Sequence, residues 1–204
     1  MANIRQIWRQ AHGWQVCSAE RGWLEPRFSA VLLAVPAPQV APLFKQLAPV
    51  LFALADSAVM RGSWALMLRF AAPIDLTFDA AFVNQGPLRW ISSNNSKPGR
   101  NGEETWLLHP RPESSEAHPE DDPERVAAAL LYAFGQLGRP AQQDWTAHRW
   151  RYPNTEQPLD EGCAWRSDIG VGLCGDWLDG GKLEGAWLSG RALAERVLRS
   201  FAGH

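Results

Sequence analysis

The stretch GVGLCGDWLDGGKLEGAWLSGRALAERV, residues 170–197, decides the predicted fold. Its first six letters match G-x-G-x-x-G, the glycine pattern of a dinucleotide-binding loop. Such a loop follows a buried strand and opens directly into a helix, whose N–H groups meet the pyrophosphate. Here the polar residues CAWRSD precede the glycines, and an aspartate stands where a pyrophosphate would lie. We therefore interpret IGVGL as a closely packed strand and expect no pyrophosphate loop here.

The letters that follow predict a strand end, a glycine loop and a helix. Gly175-Asp176 ends the strand, and LEGAWLSGRALAERVL has helical periodicity. The predicted apolar stripe consists of Ala186, Leu193, Ala194, Val197, Leu198 and Phe201. In the first turn, Glu184-Gly185-Ala186, the last two residues have little or no side chain. A ligand with partial negative charge could therefore approach the N–H groups of this turn. Ser189 and Gly190 would let the helix lie close to the sheet or to a ligand.

Composition excludes several classes of function. The 204 residues are 46% hydrophobic and 21% charged with a net charge of −2, so neither a nucleic acid nor a membrane surface is an expected partner. Three cysteines without C-x-x-C spacing and scattered histidines argue against a disulfide framework or a metal site and favour a reducing cytoplasm. No apolar stretch follows the charges of MANIRQIWRQ, so these residues are not expected to be a signal peptide, and no run approaches the roughly 20 apolar residues of a membrane span, so none is expected. Eleven tryptophans suit either an aromatic core or pockets for planar ligands.

The first part of the chain predicts a small meander, a strand and two helices. IRQIW and WQVC are short strands, and FSAVLLAV (28–35) is typical of a strand buried on both faces. Apolar residues at helical spacing follow, and Pro42 and Pro49 break them into two short helices.

The middle of the chain predicts a second sheet. WALMLRF, AAFVN, LRWIS and ETWLLHP are candidate strands separated by Gly, Pro and Asn. Asp122 is a predicted N-cap, Pro123 fits the first helical position, and Gly138 is the predicted end of that helix. QDWTAHRWRY (143–152) is then an aromatic, basic strand.

A family resemblance follows from these segments. The order G-D, glycine loop, then E-G-A-x-x-S-G-x-x-x-A resembles the C-terminal FAD segment of flavin-containing amine oxidases, and most of all the bacterial renalase-like NAD/FAD-dependent oxidoreductases. AVLLAVPAPQ, WALMLRF, RWISSNNSKPGR (89–100) and AHRWRYP (147–153) resemble further segments of that subgroup, in the same order. The resemblance covers essentially the whole chain. The family's opening strand, true G-x-G-x-x-G loop and helix have no counterpart here, so this sequence matches the C-terminal portion of the pattern.

The resemblance implies a mixed α/β fold with FAD as the cofactor. Residues 1–56 and 163–204 would form a partial FAD-binding domain with a β-meander, a buried strand and a C-terminal helix. Residues 57–162 would form a substrate domain with a mixed sheet and flanking helices. The implied cofactor-binding residues are Ile4, Val35, Pro36, Gly175, Asp176, Glu184, Gly185 and Ala186.

Three of the implied cofactor contacts have structural alternatives. Asp176 would accept hydrogen bonds from FAD hydroxyls, or it is an ordinary aspartate in a turn. The N–H groups of Glu184, Gly185 and Ala186 would face the flavin N1/C2=O edge, or the glycine only allows close packing. The backbone of Ile4 would meet the adenine, or its side chain belongs to the core.

The resemblance also implies residues on the substrate side. Asn95, Lys97 and Arg100 lie in an electropositive loop that could hold an anionic substrate, such as a pyridine nucleotide phosphate; the alternative is a solvated turn. His148, Trp150 and Tyr152 alternate and so share one face of a strand, either as a platform for a planar substrate or as a core stripe.

The implied activity is that of a flavoprotein oxidoreductase acting on a small molecule. Hydride would pass to the flavin from a reduced pyridine nucleotide isomer or from an amine, and oxygen would reoxidise the flavin. The alternative is a truncated, non-catalytic remnant or substrate-domain module that does not bind FAD by itself. Because the family's pyrophosphate loop has no counterpart, we expect this chain alone to bind FAD weakly or not at all, and to self-associate through surface left uncovered.

Overall fold

A computed structural model describes residues 2–11, 13–44, 47–117, 122–137 and 144–202. They form two compact units: unit 1 comprises Met1–Met60 and Asn154–His204, and unit 2 comprises Arg61–Pro153. The breaks lie after Met60 and Pro153, whereas the sequence placed them after residues 56 and 162. The mixed α/β class is confirmed. Within the described residues, no helix combines the length and the apolar character needed to cross a membrane.

The secondary-structure elements follow the predicted order. The strands are β1 Ile4–Gln10, β2 Gly13–Ser18, β3 Gly22–Trp23, β4 Val31–Leu33, β5 Met60–Phe70, β6 Ala80–Phe82, β7 Leu88–Ser93, β8 Glu104–Pro110, β9 Asp144–Thr155, β10 Ala164–Arg166 and β11 Val171–Leu173. The helices are α1 Ala37–Phe44, α2 Pro49–Asp56, α3 Pro112–Ala117, α4 Pro123–Gly135 and α5 Leu183–Ala202, with a 3₁₀ turn at Asp176–Leu178.

Unit 1 contains two small sheets. In the first, β1, β2 and β3 form an antiparallel meander; in the second, the order is β10-β11-β4, with β11 antiparallel to β10 and parallel to β4. The core beside them consists of Trp14, Val40, Phe44, Leu51, Leu173, Trp177 and Leu178, among others. The indole of Trp14 donates to the Ile169 carbonyl at 2.7 Å, which ties the meander to the turn before β11.

Two predictions for the first sixty residues are corrected. The strand expected over residues 28–35 is only three residues long, because Phe28 still pairs antiparallel with Trp14 of the meander and the chain changes partner before Val31. It is also not buried on both faces, since Leu32 is 46% exposed. Pro42 lies inside α1 rather than between two helices; a helix this short loses only one hydrogen bond to its missing N–H.

The stretch GVGLCG contains the predicted strand as β11, Val171–Leu173, and packing explains its glycines. Gly170 has a φ of +67°, and a Cβ there would lie 2.4 Å from the Ser29 carbonyl oxygen. A Cβ on Gly172 would lie 2.6 Å from Leu193 of α5. The polar residues before the glycines contain the short strand β10, which is half-buried and so is not the buried strand that a dinucleotide-binding loop follows. It is also an antiparallel neighbour of β11 and does not run into the glycines as a parallel strand would.

Unit 2 is a five-stranded sheet with α4 packed on one face. The strand order is β6-β7-β8-β5-β9, and the pairs β6-β7, β7-β8 and β8-β5 are antiparallel. The core between sheet and helix consists of Leu66, Leu68, Phe70, Leu88, Ile91, Trp106, Leu108, Ala127, Leu130 and Phe134. Alternate strand residues therefore point to a second face of the sheet, away from this core.

The start of α4 follows the sequence prediction. Asp122 is extended, and its carboxylate accepts a hydrogen bond from the Glu124 N–H at 3.1 Å, while Pro123 takes the first helical position. The helix ends at Gly135, before the predicted end at Gly138, which lies outside the described residues.

The N-cap of α4 gives a testable prediction. Asp122→Ala is expected to lower the free energy of unfolding by about 1 kcal/mol, because the Glu124 N–H loses its acceptor. Asp122→Asn, which keeps an acceptor oxygen, should cost much less. Urea denaturation of the two variants measures the difference, and equal losses would contradict a capping role.

Candidate functional site

The carboxyl ends of β4 and β11 meet at one edge of their sheet. The strands run parallel with Val31 opposite Val171 and Leu33 opposite Leu173, and the Cys174 N–H donates to the Leu33 carbonyl at 3.0 Å. Parallel sheets bind ligands beyond the carboxyl ends of their strands. The residues that follow, Val35-Pro36 and Gly175-Asp176, are among the predicted cofactor contacts. The structure therefore places four of those residues at one edge.

A buried tryptophan, which the sequence analysis did not single out, fixes this edge. Trp177 is 0% exposed, and its indole N–H donates to the Val35 carbonyl at 3.1 Å. Its own carbonyl accepts from the Leu159 N–H at 2.9 Å. A Cβ on Gly175 would lie 2.7 Å from the indole, so the tryptophan also explains that glycine. The spacing G-D-W after a strand is the only sequence signal for this anchor.

The fixed turn holds Asp176 in a half-buried position. Its Oδ2 accepts from the Thr155 hydroxyl at 3.2 Å, and its carbonyl accepts from the N–H groups of Asp179 and Gly181. Across the ranges that the structure describes, Oδ1 has no hydrogen-bond donor. Asp176 is therefore a turn aspartate, as the structural alternative expected. Its Oδ1 nevertheless stays available as a hydrogen-bond acceptor.

The N-terminus of α5 is joined to the same edge. The Gly175 N–H donates to the hydroxyl of the buried Ser189 at 3.0 Å. The Ala186 N–H is occupied, because it donates to the Lys182 carbonyl at 3.0 Å. The N–H groups of Glu184 and Gly185 have no backbone acceptor among the described residues and remain the donors that this helix start could offer.

Close packing accounts for the glycine of the first turn. A Cβ on Gly185 would lie 1.6 Å from the Asp179 carbonyl oxygen, so any side chain there would displace the loop before the helix. The structure therefore supports the packing alternative for Gly185, which leaves its N–H free to meet a ligand as well.

Of the other predicted cofactor residues, Ile4 lies apart from this edge, and the carbonyl groups of Val35 and Pro36 at the edge already accept hydrogen bonds within the chain. Ile4 is an exposed residue at the start of β1, opposite Ser18, and belongs to the meander rather than to the sheet of β4 and β11. The Val35 carbonyl is used by Trp177, and the Pro36 carbonyl accepts from the Gln39 N–H at 2.9 Å at the start of α1.

The predicted aromatic face of β9 lies outside the core of unit 2. Ala147 packs against that core, so His148, Trp150 and Tyr152 point to the second face of the sheet. The rings of His148 and Trp150 meet edge to face at 4.4 Å, and Trp150 is 54% exposed. A partly exposed pair of rings is a surface on which a planar molecule can stack.

The second face carries further rings that the sequence analysis missed. His109 lies opposite Trp90 in the pairing of β7 with β8, and Trp90 meets Phe82 at 4.6 Å. Burial lowers the pKa of His109, partly offset by a hydrogen bond to the Trp64 backbone. The sequence did contain a signal for this position: in β8 apolar core residues alternate with others, so a strand with Leu108 in the core places His109 on the second face.

The lowered pKa of His109 predicts a loss of stability in acid. The unfolded chain, with an ordinary histidine pKa of about 6.5, binds a proton more readily than the folded protein. The contribution of neutral His109 to the free energy of unfolding is therefore fully present above that pH and is lost as the pH drops below it. His109→Gln should flatten this fall in urea denaturation followed from pH 8 to pH 5. An unchanged slope would show that the folded imidazole titrates normally.

The basic loop before β8 is built by Asn95. Its amide donates to the Gly102 and Glu103 carbonyls at 3.2 and 2.9 Å and accepts from the Thr105 N–H and hydroxyl at 2.9 and 3.1 Å. All these bonds lie within the loop and its strand. Asn95 therefore shapes the loop, and direct contact with a substrate stays a prediction.

Two cations of this loop converge on one neutral acceptor. The Lys97 ammonium, at 3.5 Å, and the Arg100 guanidinium both donate to the side-chain oxygen of Asn94. Neither has a carboxylate partner in the part of the chain that the structure describes. Arg100 lines a cavity of about 510 Å³ together with Trp106 and Trp145. The loop can therefore bind an anionic group.

Comparison with known proteins identifies the fold. No family model matches the chain. It superposes on a protein described as a protoporphyrinogen oxidase from Exiguobacterium sp. 255-15 with a TM-score of 0.71 and 15% identity, over 97% of this chain and 47% of that one. For cyclohexylamine oxidase from Brevibacterium oxydans IH-35A the TM-score is 0.66 at 13% identity, over 98% and 48%. An oxidoreductase from Methanosarcina mazei gives 0.65 at 11%, over 94% and 48%.

These similarities concern part of the compared proteins. The chain spans about half the length of each of the three, while nearly all of its own residues are matched. At such low identity the likeness establishes the fold alone. It confirms the predicted resemblance at that level: these residues have a fold shared with oxidoreductases of the amine-oxidase type.

Proposed function

We propose that this chain supplies the flavin end of the cofactor site and the substrate face of an FAD-dependent oxidoreductase. One observation carries the proposal. The carboxyl edge of β4 and β11 brings together a half-buried Asp176 with one unused acceptor oxygen and the N-terminus of α5, joined to that edge through Ser189. The names of the compared structures, cyclohexylamine oxidase among them, support an oxidase.

The residues present suit the flavin half of FAD. Asp176 Oδ1 can accept a hydrogen bond from a hydroxyl of the ribityl chain. The N–H groups of Glu184 and Gly185, at the positive end of a 20-residue helix, can donate to the pyrimidine edge of the flavin and favour negative charge there. When bound, FAD would supply hydride acceptance from a substrate C–H bond and return of the electrons to oxygen.

The described residues do not suit the pyrophosphate half. The sequence has one G-x-G-x-x-G match, residues 170–175, which includes β11. A side chain at its three glycines would collide with Ser29 at Gly170, with Leu32 and Leu193 at Gly172, and with Trp177 at Gly175. This observation favours the second candidate function, a module that does not retain FAD by itself. The two candidate functions make different predictions for riboflavin: a chain that supplies the flavin end of the site binds it, and a non-binding module does not.

On the substrate side, an anionic planar molecule is favoured. Trp150 and His148 offer rings for stacking, and Lys97 and Arg100 offer positive charge without a carboxylate partner among the described residues. A protonated amine would be repelled by these cations, whereas a reduced pyridine nucleotide carries both a flat ring and phosphates. We therefore favour the reduced pyridine nucleotide over the amine as substrate.

The test compares riboflavin, FAD and ADP as ligands of the purified chain. If these residues hold only the flavin end, riboflavin and FAD should bind with dissociation constants within about threefold of each other, since the adenine half adds little free energy. ADP should not compete. Fluorescence quenching of the flavin gives both constants.

Two variants locate the binding. Asp176→Asn should weaken riboflavin binding by about tenfold, because an ionised acceptor is lost. Asp179→Asn, in the same loop, serves as the matched control and should leave the constant unchanged. FAD binding a hundredfold tighter than riboflavin would contradict the assignment of the flavin end, and no binding of either ligand at about 1 mM would establish the non-binding module.

A further inference from the structure

Two of the three cysteines come together in the fold, although their spacing in the sequence argues against a disulfide framework. In the register of β10 with β11, Ala164 lies opposite Leu173. The next residues outward along these two antiparallel strands are Cys163 and Cys174, which therefore lie opposite each other. Both thiols are free, and both side chains are buried. The fold thus creates a cross-strand pair of thiols in unit 1.

The backbone hydrogen bonds show which kind of cross-strand pair this is. The Cys174 N–H donates to the Leu33 carbonyl of β4 at 3.0 Å, on the side away from β10. The Cys163 N–H donates to the Glu161 carbonyl at 2.7 Å, and the Cys163 carbonyl accepts from the Arg196 guanidinium at 3.2 Å. These groups point away from the facing cysteine, as in a non-hydrogen-bonded pair, in which the Cα atoms lie about 4.5 Å apart. A disulfide spans Cα separations of about 4.4–6.8 Å, so this pair can be bridged.

Helix α5 covers the face of the sheet on which both thiols lie. Directly opposite residues of an antiparallel pair share one face, and Cys163, Cys174 and Leu193 form one buried cluster with Val197 packed against it. This burial comes from unit 1 alone. The apolar stripe predicted for α5 is therefore corrected, since the helix has a buried and an exposed apolar face. At about 100° per residue, the exposed members of that stripe lie about 80–140° around the helix from Leu193: Ala194, Leu198 and Phe201.

The thiol pair adjoins the 3₁₀ turn Asp176–Leu178. Cys174 lies two residues before this turn in the sequence. Cys163 directly follows Gly162, whose N–H donates to the Leu178 carbonyl at 2.9 Å. A bond between the two sulfur atoms would therefore join the segment that enters the turn to the segment that is hydrogen-bonded to its end.

We propose that Cys163 and Cys174 are a redox-modification site, at which hydrogen peroxide converts the two thiols to a disulfide that restrains the Asp176–Leu178 turn. The sulfur of the first cysteine attacks the O–O bond of peroxide, which yields a sulfenic acid and one water. The second thiol attacks the sulfenic sulfur, which forms the S–S bond and releases another water. The two thiols together lose two electrons and two protons, and peroxide is reduced to two waters.

The surroundings of the two thiols determine the oxidant and the order of reaction. Cys163 is 2% exposed and Cys174 7% exposed, which excludes a bulky disulfide reagent and favours an oxidant close to water in size. Burial raises the pKa of both thiols, so thiolate is scarce and the reaction is slow. The positive charge of Arg196 partly offsets the rise in pKa at Cys163, whereas the neighbouring Cys163 adds to the rise at Cys174. Cys163 is therefore the first to attack peroxide, and Cys174 completes the bridge.

The thiol pair is independent of the flavin assignment. Peroxide is the product when oxygen takes both electrons of a reduced flavin, so an oxidase would generate this oxidant itself. The geometry of the pair requires no bound flavin, however, because both cysteines and their cover belong to the described residues of unit 1. Experiments with added peroxide and flavin-free protein therefore succeed or fail separately from the riboflavin titrations.

The first test maps the bridge in the folded, flavin-free chain. After treatment with excess hydrogen peroxide, the free thiols are alkylated and the protein is digested without reduction. Mass spectrometry should show the loss of two hydrogen atoms and one bridged peptide that joins Cys163 to Cys174. Cys163→Ala and Cys174→Ala should each abolish the bridge, with folding checked by circular dichroism. Cys17→Ala removes the third thiol, in β2, and is the matched control that should keep the bridge.

The second test measures the effect of the bridge on the turn. In the oxidised protein, hydrogen exchange at the amides of Gly162 and Leu178 should slow at least tenfold, because opening of the turn must then strain the bridged strands. The melting temperature should rise by about 5 °C or more, since the bridge closes a loop in the unfolded chain. Both readouts compare oxidised with reduced wild-type protein and need no variant.

Several results would overturn this assignment. Bridges from Cys17 that are as abundant as the predicted one, or a bridge that forms only in urea, would show that the fold does not bring Cys163 and Cys174 together. Absence of any reaction with peroxide, or oxidation of Cys163 to a sulfinic acid without a bridge, would have the same consequence. A disulfide that leaves hydrogen exchange at Gly162 and Leu178 unchanged would contradict the restraint on the turn.

Discussion

Gly185→Ala is expected to lower the free energy of unfolding by about 3 kcal/mol or more, a large effect for one methyl group. The new Cβ would lie 1.6 Å from the Asp179 carbonyl oxygen, which is backbone and cannot rotate away. Either α5 or the loop before it must move, and both carry the proposed flavin contacts. Urea denaturation measures the loss, and riboflavin binding should disappear with it.

The same helix supplies the control for this substitution. Gly190→Ala meets nothing within 4 Å and should raise the free energy of unfolding by about 0.5–1 kcal/mol, because alanine favours the helix. The comparison is made at a protein concentration low enough to exclude association. Equal effects of the two substitutions would show that helix propensity, and not contact with Asp179, governs position 185.

Trp177→Ala is expected to cost about 3–5 kcal/mol, the range for deleting a fully buried large aromatic side chain. It also leaves the Val35 carbonyl without its indole donor and removes the packing that holds the Asp176 turn. Against a typical domain stability of about 5–15 kcal/mol, this is enough to unfold a substantial fraction of the protein.

An exposed tryptophan provides the comparison. Trp8 lies in β1 with more than half of its surface exposed, and Trp8→Ala should cost about 1 kcal/mol or less. Thermal and urea denaturation of both variants give the ratio. If Trp177→Ala were as mild as Trp8→Ala, the indole contact with Val35 would not be what fixes the carboxyl edge.

The sequence predicted what depends on local periodicity. The meander, the strands of unit 2, the N-cap of α4 and the strand identity of GVGLCG all follow from turn residues, capping residues and alternation within short windows. The length of β4 was overestimated, because an apolar run does not show where the chain changes its partner strand. That change occurs between Phe28 and Val31.

The contacts of polar and aromatic side chains with residues distant in sequence could be assigned only from the tertiary structure. Trp177 could not be distinguished from the other tryptophans, since its importance comes from Val35, which is 142 residues away in sequence. Likewise, the two faces of α5 differ only in what packs on them. The residues proposed for the site were named from the resemblance, and their shared edge emerges only when β4 and β11 pair.

The most direct test of the flavin-end assignment is a titration of ¹⁵N-labelled protein with riboflavin, followed by amide chemical shifts. The largest changes are predicted at Gly175, Asp176, Glu184 and Gly185, with smaller ones in the adjoining turn. The chemical shifts of amides in the meander, including Ile4, should not change, because riboflavin lacks the adenine half of FAD. Saturable changes confined to other parts of the chain, with none at the carboxyl edge of β4 and β11, would contradict the account.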